Sequence, residues 1–165
     1  MRYVNLAFAF LWLAATLVAA DPTIGTWKLN PSKSAYVPGP KPKTATITYE
    51  ETADGIKRTG QSTDAEGKTT SFEYTAKYHG KDYPVTGTDL YDTISIKRIN
   101  DHTVESTLKK SGKVTSRARR VVSKDGKTMT LTINGTDAKG EKMQNLAVYD
   151  KFSEPNSDTP LRDPK

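Results

Sequence analysis

The chain contains no cysteine. That excludes disulfides, iron–sulfur clusters, thiol catalysis and thiolate zinc sites. It also excludes a lipid anchor attached through a cysteine behind a leader. Histidine is nearly as scarce, with only His79 and His102. Both fall at expected turns, away from the orienting partner an acid–base imidazole needs. No metal-ligand spacing joins them to carboxylates, so no metal and no cofactor is expected. Nucleophile-elbow and His-Glu-x-x-His patterns are missing as well. Gly67-Lys68-Thr69 and Gly126-Lys127-Thr128 lack the Gly five positions earlier that a phosphate loop requires, having Ser62 and Val121 there. Nothing here predicts an enzyme. The net charge of +6 is modest, and its basic residues alternate with acids rather than forming the stripe of a nucleic-acid binder.

Long apolar runs are missing too, except at the start. Arg2, the run Leu6–Val18 and then Val18-Ala19-Ala20 before Asp21 have the form of a secretory leader, with cleavage expected after Ala20. The run is shorter than the roughly 20 residues that span a bilayer, and no stop-transfer segment follows. The expectation is an exported protein, periplasmic or secreted, soluble after cleavage and without a stable membrane anchor. Residues 21–153 then form one domain. Residues 154–165, polar and carrying Pro155, Pro160 and Pro164, are expected to be a disordered tail.

What the mature region does have is alternation. Ala45, Ile47 and Tyr49 share one face of Thr44–Glu51, and Phe72, Tyr74, Ala76 and Tyr78 share one face of Thr69–Tyr78. The same period-two pattern recurs in Tyr91–Arg98, Thr103–Lys109 and Thr128–Asn134, each burying one face and wetting the other. Asp54-Gly55, Asp64–Gly67, His79-Gly80, Asn100-Asp101, Ser111-Gly112, Asp125-Gly126 and Asp137–Gly140 punctuate the runs with hairpin chemistry. Asn134-Gly135, part of a formal glycosylation sequon, also reads as a hairpin tip. Pro31–Pro42 holds four prolines and is expected to stay out of any ladder, crossing the surface or a barrel mouth. The fold class is all-β, a single antiparallel up-and-down barrel of about eight to ten strands.

The two ends of the chain point to a family. Ile24-Gly25-Thr26-Trp27-Lys28-Leu29 opens the barrel and Ala147-Val148-Tyr149-Asp150-Lys151 closes it. A Gly-x-Trp first strand, a meander and a closing Val-Tyr-acid-base strand resemble the calycins, that is lipocalins and intracellular fatty-acid-binding proteins. In character the chain is similar to small exported bacterial lipocalin-like proteins, the Tyr78–Gly87 segment carrying that likeness. The resemblance implies that Trp27 plugs a closed end and that the last strand pairs with the first. Departures are plain: the fatty-acid-binding proteins place two helices where this chain has its Pro-rich loop. Their carboxylate-clamping Arg, two before the closing Tyr, is Ala147 here, so only Tyr149 of that clamp carries over.

The candidate ligand-binding residues are Trp27, Tyr49, Phe72, Tyr74, Tyr78, Arg120 and Tyr149. The aromatic rings offer apolar area with a few hydroxyls, which either fill a small barrel or line a cavity for a partly polar molecule. Alternation puts Arg120 on one face with Val114, Ala118 and Val122, and a single bulge would invert that face. If inward, Arg120 must be paired. The expectation is a stack on Trp27, as the resemblance implies, with an anionic ligand as the other outcome. Arg58 and Arg98 are lesser candidates for a lumen cation. The leading reading is an exported, non-enzymatic protein holding a small apolar or amphipathic molecule. The alternative is a filled barrel whose loops bind an exported protein partner.

Overall fold

Polar turns and alternating strands give the architecture directly. The computed structural model describes residues 20–137 and 139–153. The expected leader, apart from Ala20, and the expected tail 154–165 lie outside the described residues. Eleven strands follow in order: β1 (Gly25–Leu29), β2 (Ala35–Val37), β3 (Thr44–Thr52), β4 (Gly55–Thr63), β5 (Thr69–Ala76), β6 (His79–Pro84), β7 (Thr93–Asn100), β8 (Thr103–Lys110), β9 (Lys113–Val122), β10 (Thr128–Thr136) and β11 (Lys142–Phe152). They form one antiparallel sheet ordered β5-β4-β3-β1-β11-β10-β9-β8-β7-β6, with β2 paired to β11.

First and last strands pair, Trp27 opposite Lys151 and Leu29 opposite Tyr149. The two ends of the sheet meet at one point, where the amides of Glu73 and Thr86 exchange hydrogen bonds of 3.1 Å. The barrel is therefore nearly closed, with a seam between β5 and β6. This is the antiparallel up-and-down barrel, with last strand paired to first, that the sequence led one to expect.

The turns work as their chemistry dictates. Asp64 Oδ1 accepts from the Lys68 amide, Asp125 Oδ1 from that of Lys127, and Asp137 Oδ1 from those of Lys139 and Glu141. Each Asp carboxylate thus closes the turn behind it.

Three expectations need correction. Ala35–Val37, inside the Pro-rich interval, does join a ladder, opposite Gln144–Leu146. The prolines at 31, 38, 40 and 42 flank this stretch and leave its amides intact. Asn134-Gly135 is not a hairpin tip but lies within β10, and His79-Gly80 opens β6. Gly135 is small because β9 bulges against it. A Cβ there would stand 2.2 Å from Ser116 Oγ. The same bulge, between Leu108 and Lys109 on β8, lets Ser116 pair with Leu108 and Val114 with Lys109. It turns Val114 outward (46% exposed), while Ala118, Arg120 and Val122 stay inside.

Trp27 (0% exposed) plugs one end, its Nε1 donating to the Thr23 carbonyl at 2.8 Å. Lys151 closes over it with Nζ 5.2 Å from the ring centre. Gly25 makes that approach feasible, since a Cβ would come within 3.1 Å of Lys151 Cε.

Candidate functional site

Above the Trp27 plug the barrel is hollow. A cavity of about 500 Å³ lies between the two walls, bordered at its mouth by Pro42 and the loop through Gly87–Tyr91. Ile47, Phe72, Ile94, Leu108 and Leu131 are among its apolar lining residues, and Tyr36, Tyr49, Tyr74, Tyr91 and Tyr149 are among its aromatic ones.

Cross-strand register sets the polar face. Tyr49, Arg58 and Tyr74 form one inward row over β3, β4 and β5; Ile47, Gly60 and Phe72 form the next. Arg58 (6% exposed) leans from the first row onto the second, its guanidinium carbon 3.6 Å above the Phe72 ring. Gly60 beneath it leaves the room. Nη1 of Arg58 is buried and has no hydrogen-bond partner among the described residues. A guanidinium taken out of water and left short of partners is costly, and it favours whatever acceptor enters the cavity.

A second guanidinium reaches in from the opposite wall. Arg120 (4% exposed) lies with its Cζ 4.4 Å from the Tyr49 ring centre, and its Nη2 donates to the Tyr78 hydroxyl at 3.1 Å. Tyr78 in turn donates to Asp21 Oδ2 at 2.7 Å. Asp21 also pairs with Arg98, whose guanidinium sits 4.2 Å from the Tyr78 ring, and accepts from the Thr23 amide at 2.9 Å. A polar chain thus runs from the plugged end to the floor of the cavity. Asp21 and Arg98 satisfy each other. Among the described residues Arg58 and Arg120 have no carboxylate ion-pair partner, and Asp89 on the cavity lining is exposed.

That imbalance shows in the tyrosines. Burial pushes the hydroxyls of Tyr74, Tyr149 and Tyr91 above the usual phenol range, and that of Tyr78 as well. Tyr49 is buried to 2% exposure and should follow them. Instead the positive charges of Arg120 and Arg58 outweigh its burial and bring it below the usual value.

Five of the seven candidate residues line the cavity: Tyr49, Phe72, Tyr74, Arg120 and Tyr149. The other two lie beneath it. Trp27 is wholly enclosed in the plug, and Tyr78 spends its hydroxyl on Arg120 and Asp21. The expected stack of Arg120 on Trp27 is replaced by Arg120 over Tyr49, and Lys151 covers Trp27 instead. His79 lies exposed on β6, 2.8 Å from the Tyr83 hydroxyl, with the two rings stacked. His102 occupies the β7–β8 turn. Arg58, ranked low from sequence, is the most prominent polar group. Ile56-x-Arg58-x-Gly60 has one apolar residue in its inward set, so its period gave little sign of an inside face. Register against Tyr49 and Tyr74 was the missing signal.

No family model matches the chain, and no curated protein matches it. Among solved structures it is similar to the zebrafish ileal bile acid-binding protein complexed with cholic acid. The identity is 10%, the TM-score 0.46, and the match covers 79% of this chain and 99% of that one.

Proposed function

We propose that the protein is an exported, non-enzymatic carrier that holds one small amphipathic molecule inside the barrel. The apolar body of the ligand lies against Ile47, Phe72, Leu108 and Leu131, and an anionic or strongly accepting end meets Arg58. One observation carries this reading: a buried guanidinium with an unpartnered Nη1 in a cavity of about 500 Å³ that is otherwise largely aromatic and aliphatic. Arg120 adds a second positive charge from the far wall, and Tyr149 adds a hydroxyl. The zebrafish protein of similar shape was solved with a bile acid, an amphipathic acid of the same general kind. Export rests on the Met1–Ala20 leader alone.

Native mass spectrometry of the protein isolated from its own source tests the carrier role. The expected result is a discrete excess mass that vanishes on denaturation and identifies the cargo. Arg58→Ala should weaken binding of that cargo by about 10- to 100-fold, the worth of a hydrogen bond to a charged group. Arg58→Lys should recover little, since an ammonium cannot reproduce the fork or its stacking on Phe72. Unchanged affinity in both variants would remove Arg58 from the site.

A further inference from the structure

Among the described residues, no carboxylate forms an ion pair with Arg58 or Arg120. Arg58 and Arg120 are both buried; Arg58 stands opposite Tyr49 in the β3–β4 register, and Arg120 Cζ lies 4.4 Å from the Tyr49 ring centre. The groups around Tyr49 are few. Arg58 faces it from β4, Arg120 from β9, Tyr74 from β5 and Tyr149 from β11, with Tyr36 behind Tyr149. Tyr78 stands beyond Arg120 and is itself committed to Asp21, which Arg98 already neutralises. Asp89 lies out at the mouth. Among the described residues, the groups beside the two guanidiniums that can become negative are phenols, and Tyr49 is the one that stands opposite Arg58 in register with its ring centre 4.4 Å from Arg120 Cζ.

Resting on the reading of the cavity as a site for an anion, we infer that Tyr49 is its exchangeable counter-ion. Where the empty barrel carries Tyr49 as phenolate, that charge offsets one of the two guanidiniums, and an anion entering the cavity takes over its place while Tyr49 takes up one proton. The balance is simple: one anion enters, one proton is drawn from solvent onto Tyr49 Oη, and the site keeps its net charge. Arg120 and Arg58 lowering the Tyr49 hydroxyl against the effect of its burial agrees with this pairing. Tyr74 and Tyr149 are the poorer candidates for the role, since burial raises both hydroxyls.

Linkage fixes the sign. A group that binds a proton when ligand binds makes affinity fall as pH rises above its ligand-free pKa, approaching tenfold per pH unit. The fall stops at its ligand-bound pKa. Such a carrier loads under less alkaline conditions and releases under more alkaline ones.

The test uses octyl sulfate, an amphipathic anion that stays charged throughout and does not absorb where tyrosinate does. Absorbance at the tyrosinate band is followed from neutral to alkaline pH for the wild type, Tyr49→Phe and Tyr83→Phe, each with and without octyl sulfate. Calorimetry in buffers of different ionisation enthalpy counts protons taken up. The expected result is one tyrosine ionising ahead of the others in the wild type and in Tyr83→Phe but not in Tyr49→Phe. Saturating octyl sulfate should drive that transition upward, with close to one proton taken up per anion within the interval and none in Tyr49→Phe. No early transition, or one that the bound anion leaves in place, overturns the exchange. If octyl sulfate fails to bind at any pH, the anion site and the exchange fall together. An early Tyr49 transition in the ligand-free protein would then still show the phenolate paired with the arginines, which separates the two failures.

Discussion

Gly60 has no side chain where Arg58 needs to lie. A Cβ at that position would stand 3.0 Å from Arg58 Cζ and 2.7 Å from its Nη1, the latter closer than real Cβ contacts come. The obstructing atoms are the far end of a flexible side chain, so the barrel itself can accept the change. Gly60→Ala should therefore keep the fold and swing the guanidinium off Phe72. The expected outcome is a thermal midpoint within a few degrees of the wild type and cargo affinity reduced about as far as in Arg58→Ala, read by calorimetry on both variants. Wild-type affinity in Gly60→Ala would mean that Arg58 reaches its ligand from another rotamer. Trp27 is the opposite case, a residue that matters for stability and touches no ligand. Its ring is wholly enclosed and its Nε1 is spent on the Thr23 carbonyl. Trp27→Ala should cost about 3–5 kcal/mol in denaturant unfolding, the usual loss for a large buried aromatic. A loss below 1 kcal/mol would remove the plug from the account of stability.

Among the strands, the weakest join is the β5–β6 seam, held by the single Glu73–Thr86 pair. Gly87 sits directly beside it at a φ of 84°, and a Cβ there would meet the Ser71 carbonyl oxygen at 2.4 Å. Backbone cannot step aside as a side chain can. Gly87→Ala should push the strands apart, adding at least about 1 kcal/mol of left-handed backbone strain to the clash. Hydrogen exchange is expected to speed up at the Glu73 and Thr86 amides and to stay unchanged along β10–β11. Equal exchange at all of these amides would show that the seam bears no special strain. Most of the strands were legible before any coordinates because their alternation is local: Ala45-Ile47-Tyr49 and Met129-Leu131-Ile133 declare their inward faces within one segment. What escaped notice depends on distant partners. The bulge that turns Val114 outward is made with β8 and accommodated by Gly135 on β10, and no period within Val114–Val122 announces it. Ala35–Val37 is too short to show a pattern, and Arg58 gains its meaning from Tyr49 and Tyr74 on the neighbouring strands.

Considered as a whole, the molecule divides its polar interior into two charge systems joined through Tyr78. The upper one, at the cavity, carries the guanidiniums of Arg58 and Arg120. The lower one, at the plugged end, is neutral, with Asp21 held by Arg98, Tyr78 and the Thr23 amide. Asp21 thus ties the start of the described chain into the barrel floor. This pairing has a pH signature opposite to that proposed for Tyr49. Burial raises the Asp21 carboxyl, but its hydrogen bonds from Thr23 and Tyr78 and the charge of Arg98 outweigh burial and set it below the ordinary 3.8. A carboxyl lowered in the folded state binds more protons when unfolded. Its stabilisation is therefore complete above the ordinary value and is lost as pH falls through the folded one. The wild type should lose stability on acidification below about pH 4. Asp21→Asn should start about 1–3 kcal/mol less stable at neutral pH and lose correspondingly less over that acid interval. Denaturant unfolding of both proteins between neutral and strongly acid pH measures the difference. Parallel curves over the acid range would show that Asp21 titrates alike in both states and that the barrel floor is held by Trp27 and its apolar neighbours alone.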